Sequence, residues 1–334
     1  MNLIQDTRVF SDALDRLSRP AGVSHVYNPL AYMRRAHEQW LAQFEVFVDY
    51  QGESVSCATY EKSPDEFARA TQSRPYLILG MNPGPWGMVQ TGVPFGDVAN
   101  ANTILGYRRG DQIPAPDPDR VTLHPKRPVQ GFACTRREAS GERLWSGLTG
   151  VFRPSAPTQG CPAEHRQGRH ELYVDEHHTF CRACGQKWSG GIDRKPALDA
   201  VLAQCFAVNY CPLAYFAADP QGTNVTPDAF RKSGPYRDLP YAIELDTLCS
   251  SYIAAIVQAF RTRVVLAVGR YAETKAREIA GAMPADVRPK VVYLTHPSPL
   301  ATRSAGEWAA MAQREMSAAG VLPEPRTTGA GGSP

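Results

Sequence analysis

The stretch "YLILGMNPGPWGMVQTGVPFG", residues 76–96, opens as an uninterrupted apolar run and continues as a backbone that no strand can use. Its first residues carry no polar alternation, which predicts a strand buried on both faces. The "GMNPGPWG" that follows holds three glycines, two prolines and one asparagine. It lacks the Gly-Lys-Ser/Thr ending of a phosphate loop, so no lysine is placed for a nucleoside triphosphate. A tight turn accounts for the prolines and glycines. It does not account for Asn82, or for the second bare stretch "TGVPFG" with Phe95 near its tip.

Working outward, three more apolar runs, "CFAVNYCPLAYF", "RVVLAVG" and "KVVYLTHPSP", read as further buried parallel strands. Helical spacing in "LDTLCSSYIAAIVQAFRTR" and "RYAETKAREIAGAM" sets helices between them. Strands alternating with helices predict an α/β fold with a doubly wound sheet. Sites in such sheets form at the carboxyl ends of strands, where this chain places Asn82, Asn209 and His296. Upstream, "PLAYMRRAHEQWLAQFEVFVDY", residues 29–50, has mixed three and four spacing behind Pro29 and predicts one amphipathic helix.

The 334 residues are 43% apolar and 21% charged, with a formal net charge of +3. That charge is too small to argue for nucleic acid by itself. No apolar run approaches the roughly 20 residues of a membrane helix, and the first residues do not read as a secretory signal. The expectation is an intracellular protein of the cytoplasm or nucleoid, nuclear in a eukaryote, with no membrane partner. Eight cysteines in such a chain point to reduced thiols or a metal site rather than a disulfide framework.

Residues 154–196 break the α/β rhythm with Pro, Gly, His, Cys and charge. Cys181 and Cys184 form a C-x2-C knuckle, and Cys161 with one histidine would complete a tetrahedral zinc site. His165 is the preferred fourth ligand, with His170, His177 and His178 as the other candidates. A loop with coincidental cysteines or a two-cysteine redox pair is the alternative. A structural zinc would fold a segment too poor in apolar residues to fold itself. The Gly, Pro and Ser content of residues 323–334 predicts disorder.

The last motif is "HPSPLATRSAGEW", residues 296–308, in which two prolines stiffen the chain after His296 and Leu300 stands where it would project. This motif, "GMNPGPWGMVQTGVPFG", "NYCPL" and "HPKRPVQGFACTRREASGERLW" together resemble the single-strand-selective monofunctional uracil-DNA glycosylases, a branch of the uracil-DNA glycosylase superfamily. The resemblance covers residues 25–153 and 197–322. It leaves 1–24 as an N-terminal extension and 154–196 as a zinc-ribbon-like insertion. It implies a three-layer αβα sandwich around a mostly parallel four-stranded sheet.

The resemblance further implies hydrolysis of the N-glycosidic bond of a flipped-out uracil or 5-hydroxymethyluracil. The partner would be DNA carrying uracil or an oxidised pyrimidine, and the enzyme a monomer leaving an abasic site in base excision repair. By similarity His296 donates to uracil O2 as charge develops there, and Asn82 positions the water. An amide has no useful pKa and cannot take the water's proton, so bond breaking runs ahead of attack. Asn209 reads the base edge, Phe95 stacks on it, and Gly84 and Met88 line the pocket near its C5 edge. Leu300, with Arg303, would fill the gap left in the stack. Leu300 stands where this branch has arginine, and Trp86 replaces phenylalanine. No step calls for a catalytic cofactor. The alternatives are a glycosylase of the same fold for xanthine or hypoxanthine, and a non-catalytic zinc-ribbon adaptor.

Overall fold

The four apolar runs lie side by side in the computed structural model, which describes residues 2–44, 46–48, 54–56, 74–107, 122–151, 172–174, 179–181, 187–188, 198 and 201–321. The elements in chain order are α1 (Leu3–Asp15), β1 (Val23–Tyr27), α2 (Pro29–Tyr32), α3 (Arg34–Ala42), β2 (Val46–Val48), β3 (Ser54–Ser56), β4 (Tyr76–Gly80), α4 (Met88–Thr91), α5 (Val98–Leu105) and α6 (Ala139–Val151). There follow β5 (Leu172–Val174), β6 (Thr179–Cys181), β7 (Lys187–Trp188), β8 (Cys205–Asn209), β9 (Ala214–Ala217), β10 (Asn224–Val225), α7 (Leu239–Ala259), β11 (Val264–Val268), α8 (Arg270–Ala282), β12 (Lys290–Leu294) and α9 (Ala305–Ala318).

The central sheet runs β12-β11-β4-β8, with every pair parallel. Successive strand residues point to opposite faces, and every residue of β8 and all of β4 beyond Tyr76 is buried. Both faces are therefore covered, which makes the three-layer α/β sandwich that the apolar runs require. Helix α8 covers the sheet with Ala272, Ala276, Ile279 and Ala280, one stripe at helical spacing. Helix α9 buries Trp308, Ala312 and Met316 one turn apart. It packs closely on α6 because Gly147 leaves room for the indole: a Cβ there would lie 2.4 Å from the Trp308 ring.

Two sequence expectations are corrected. "CFAVNYCPLAYF" is not one strand: β8 ends at Asn209 and β9 pairs antiparallel with β1 and β10 in a separate three-stranded sheet. Pro212, between them, has no N–H to give a ladder. Residues 29–50 are not one helix either. The first turn closes at Met33, whose φ of −102° and ψ of 26° leave the helical region, and a new helix starts at Arg34. Burial of Met33 and Trp40 on the core outweighs continuity of the helix, and Val46–Val48 pair as a strand with Ser54–Ser56.

Helix α1, within the segment set apart as an extension, buries Leu3, Phe10 and Leu14 in the same core. Phe10 stacks on Tyr252 of α7 with ring centroids 4.1 Å apart. No described helix is long and apolar enough to cross a membrane.

One polar knot ties α7 and α8 to the end of β8. Asp246 accepts from the Tyr210 hydroxyl at 2.8 Å, from Lys275 Nζ at 2.9 Å and from Arg231 Nε at 3.0 Å. Burial alone would raise this carboxyl, but the bonds from Lys275, Arg231 and Tyr210 outweigh it and hold Asp246 below the usual range. Asp246→Asn leaves the buried Lys275 ammonium paired with the Glu278 carboxylate alone, 2.8 Å away, and urea unfolding at pH 7 is expected to show a loss of about 1–3 kcal/mol, the range for removing one partner of a buried polar group. Because the folded-state pKa is depressed, this contribution is present above the ordinary value of 3.8 and disappears as pH falls through the lowered one. The difference between wild type and variant should therefore shrink in acid.

Candidate active site

Parallel strands end on one side of their sheet, and that side gathers the predicted residues. Asn82 lies two residues beyond β4, Asn209 is the last residue of β8, and His296 lies two beyond β12. The β4–β8 pairing continues past the strands: Tyr210 N–H donates to Gly80 O and Cys211 N–H to Met81 O, both at 2.9 Å. These bonds hold the Asn82 turn beside Asn209. The Asn209 side chain is buried, and its Nδ2 lies 3.2 Å from Met88 Sδ. A Cβ on Gly80 would fall 2.4 Å from Asn209 Oδ1 and 2.5 Å from Phe95 Cζ. The amide and the ring therefore meet over a glycine that must stay bare. Asn82 is half-buried, and its only described side-chain bond is a long one of 3.4 Å to Pro83 O.

Phe95 adopts a φ of 53°, a left-handed conformation that costs a non-glycine residue roughly 1 kcal/mol or more. Its surroundings enforce that shape. A Cβ on Gly141, in the first turn of α6, would stand 2.1 Å from Phe95 O, so the loop carbonyl rests directly on that glycine. Thr91 Oγ1 donates to Gly96 O at 2.8 Å. The His37 ring, which burial pushes down to about 4, is neutral at pH 7 and donates from Nδ1 to Gly92 O at 2.6 Å.

His296 occupies a recess in which its side chain is open to solvent while the protein packed around it lowers the imidazole pKa. The ring is neutral at pH 7 and has no hydrogen-bond partner among the described residues. Its backbone is braced from α9. Thr295 donates to Glu315 from its N–H at 2.9 Å and from its hydroxyl at 2.6 Å, and Trp308 Nε1–H donates to Thr295 O at 2.7 Å. Four residues on, Leu300 projects from the tip of a turn closed by Ala301 N–H and Thr302 N–H to Ser298 O, and its side chain is 100% exposed. Arg303 is exposed, with its backbone held by Glu307 and Arg143.

Gly84 is bare for a reason that the sequence does not display. A Cβ on Gly84 would lie 2.1 Å from both Glu138 carboxylate oxygens, and one on Gly87 would lie 2.7 Å from Oε2. Glu138 directly precedes α6 and folds its carboxyl beneath the turn. Burial raises it to about 7, with the Trp86 and Gly87 amides and the Ser140 hydroxyl pulling it down and Asp97 pushing it up. The Arg136 guanidinium lies 3.7 Å from the Trp86 ring centroid and that of Arg127 5.8 Å. Gln90 links the two segments, donating to Pro85 O and Pro128 O and accepting from Gln130 N–H.

Sequence reasoning passed over Glu138, Glu315, Trp308 and Gly141. The weak signal for Glu138 was a glutamate directly before a helix, where Ser, Thr, Asp or Asn is the usual cap. Cys161, His165 and Cys184 lie outside the described residues. Cys181 ends β6 in the three-stranded antiparallel sheet β5-β6-β7, and its side chain is not among those described. No group of His, Cys, Asp or Glu among the described residues is arranged to hold a metal ion. The assembled groups suit a flat heterocycle with polar edges: an aromatic ring, a buried amide, a second amide and a neutral imidazole.

The Uracil DNA glycosylase superfamily matches residues 67–316 of this chain. The single-strand selective monofunctional uracil-DNA glycosylase of Rattus norvegicus is 30% identical over 312 residues, 93% of this chain and 81% of that protein. The Bos taurus protein of the same description is 29% identical over 322 residues, 96% and 86% of the two. Among solved structures, wild-type Pedobacter heparinus SMUG2 matches with a TM-score of 0.45 and 16% identity, covering 93% of this chain and 97% of that one.

Gly84→Ala forces its methyl group into the Glu138 carboxyl. Thermal and urea unfolding are expected to show a loss of about 1–3 kcal/mol, the usual range for overpacking, with much of it restored in the double variant Gly84→Ala/Glu138→Ala. Additive losses would show that the two side chains do not compete for one space.

Proposed function

This chain belongs to the uracil DNA glycosylase superfamily, and from that premise we propose that it is a monofunctional uracil-DNA glycosylase that flips uracil out of DNA and hydrolyses its N-glycosidic bond. The observation that carries the reading is the convergence of Asn82, Asn209 and His296 at the carboxyl end of one parallel sheet, where Asn209 meets Phe95 over Gly80.

Each residue type suits a step. The Asn209 amide offers a donor and an acceptor to the uracil edge, and Phe95 stacks on its face. A neutral His296, favoured by the desolvation from surrounding protein that lowers its pKa, donates N–H to O2 as negative charge gathers there; such a donor is worth about 10²–10³ in rate. Asn82 orients water without accepting its proton, so the glycosidic bond lengthens first. Gly84 and Met88 bound the pocket near the C5 edge, and 5-hydroxymethyluracil is a second substrate. Flipping costs a few kcal/mol in duplex DNA. An exposed Leu300 beside Arg303 offsets part of this by entering the stack. Arg127, Arg136 and Lys126 have no described carboxylate partner and suit the phosphates of the strand.

The protein would act as a monomer in the compartment that holds the DNA. The test is excision from single- and double-stranded oligonucleotides carrying uracil, 5-hydroxymethyluracil, xanthine or hypoxanthine, read after alkali. Uracil is expected to be cut fastest; no alkali-labile site on any of them would overturn the reading, and preference for xanthine would reassign the base. Asn82→Ala and His296→Ala should each slow single-turnover excision by about 10²-fold or more while keeping affinity for abasic-site DNA. Leu300→Ala should lower excision from duplex more than from single strands.

The same reading assigns structural zinc to Cys161, His165, Cys181 and Cys184, with no role in the chemistry. Support comes from the C-x2-C spacing of Cys181 and Cys184, of which Cys181 ends β6. Elemental analysis should find one zinc per chain, lost in Cys181→Ser/Cys184→Ser; metal-free wild-type protein would dismiss the site.

A further inference from the structure

Beneath the turn that joins Asn82 to Met88 lies a carboxyl that the glycosidic chemistry above does not use. Glu138 Oε2 is fully buried with no regular hydrogen bond, and Ser140 Oγ is 3.4 Å from Oε1. No basic side chain among the described residues pairs with it, and the charged group that acts on it, Asp97 at the start of α5, is of like sign. A methionine or leucine in this place would spare the cost of an ionisable group held from water. What the carboxyl offers in return is position: it lies directly against the bare backbone of Gly84 and Gly87, where the neighbouring Trp86 and Gly87 amides favour its ionised form.

One turn further along α6, Gly141 supports the strained Phe95 carbonyl. The two ends of the 82–96 loop thus rest on one helical turn. We propose that Glu138 is a positioning residue for excision: its ionised carboxyl grips the Trp86 and Gly87 amides and so sets Asn82, which orients water, relative to Met88, which touches the base-reading Asn209. This inference rests on the glycosylase reading.

The grip depends on ionisation. A carboxyl raised from 4.5 to about 7 is protonated in the folded protein and ionised in the unfolded chain between those values, so it takes stability away as pH rises through that window. The acceptor form fills in above about 7. Stability and grip therefore pull in opposite directions, which separates positioning from simple packing.

The experiment compares wild type with Glu138→Met, which fills the space without charge, and Glu138→Gln, which keeps the shape without titrating. Independently of activity, the amide resonances of Trp86 and Gly87 in wild type should titrate with a midpoint near 7 and be flat in both variants. Single-turnover excision of uracil from single-stranded DNA should rise through the same midpoint in wild type. In Glu138→Met at pH 8 it should fall about tenfold or more, as displaced catalytic groups do, while the melting temperature is unchanged or higher and abasic-site DNA still binds. Wild-type amides that do not titrate near 7, or a Glu138→Met protein with wild-type rate and pH profile, would overturn the proposal. Absence of excision by wild type would refute the glycosylase reading instead, and the amide titration would still decide whether the carboxyl grips the turn.

Discussion

The backbone pairing of β4 with β8, carried past the strand ends by the bonds from Tyr210 and Cys211 to Gly80 and Met81, is the constraint on which the site depends. It brings two loops that start 129 residues apart in sequence, Gly80 being paired with Asn209, into fixed register. Asn209 can lie over Gly80 only because Gly80 is paired opposite it. The polar knot at Asp246 secures the same strand end from behind through Tyr210, so helix packing and site geometry share one anchor.

Around that anchor, close approach is bought with missing side chains. Gly80 admits Asn209 and Phe95, Gly84 and Gly87 admit Glu138, Gly141 admits the Phe95 carbonyl and Gly147 admits Trp308. Each glycine loses more conformational freedom on folding than any other residue. In exchange, backbone atoms come within contact distance of groups that a Cβ would hold away. The result is a loop whose shape is set from outside, by α6 on one side and the strands on the other, rather than by its own hydrogen bonds.

The two ends of the site are held differently. Asn82 and Phe95 sit on the loop braced by α6, whereas His296 is braced by α9 through Thr295, Trp308 and Glu315. Helices α6 and α9 pack on each other across Gly147. Movement of either helix would therefore shift the Asn82 amide and the His296 imidazole together. Such common support suits a reaction that needs both ends of a breaking bond stabilised at once.

The apolar runs were enough to declare four parallel strands, since only a strand covered on both faces reads as an unbroken apolar run. Parallel strands in turn put Asn82, Asn209 and His296 at one end of the sheet. The tertiary structure decided what spacing along the chain cannot encode. Pro212 turned one apolar run into two strands of different sheets, and burial of Met33 split a helix that periodicity alone would continue. Glu138 gave only the weak signal of a glutamate directly before a helix, because the groups it lies against, Gly84 and Gly87, are more than 50 positions away. Local sequence determines which face of an element is apolar and where its backbone can turn; which carboxyl meets which bare glycine follows only from how the elements pack.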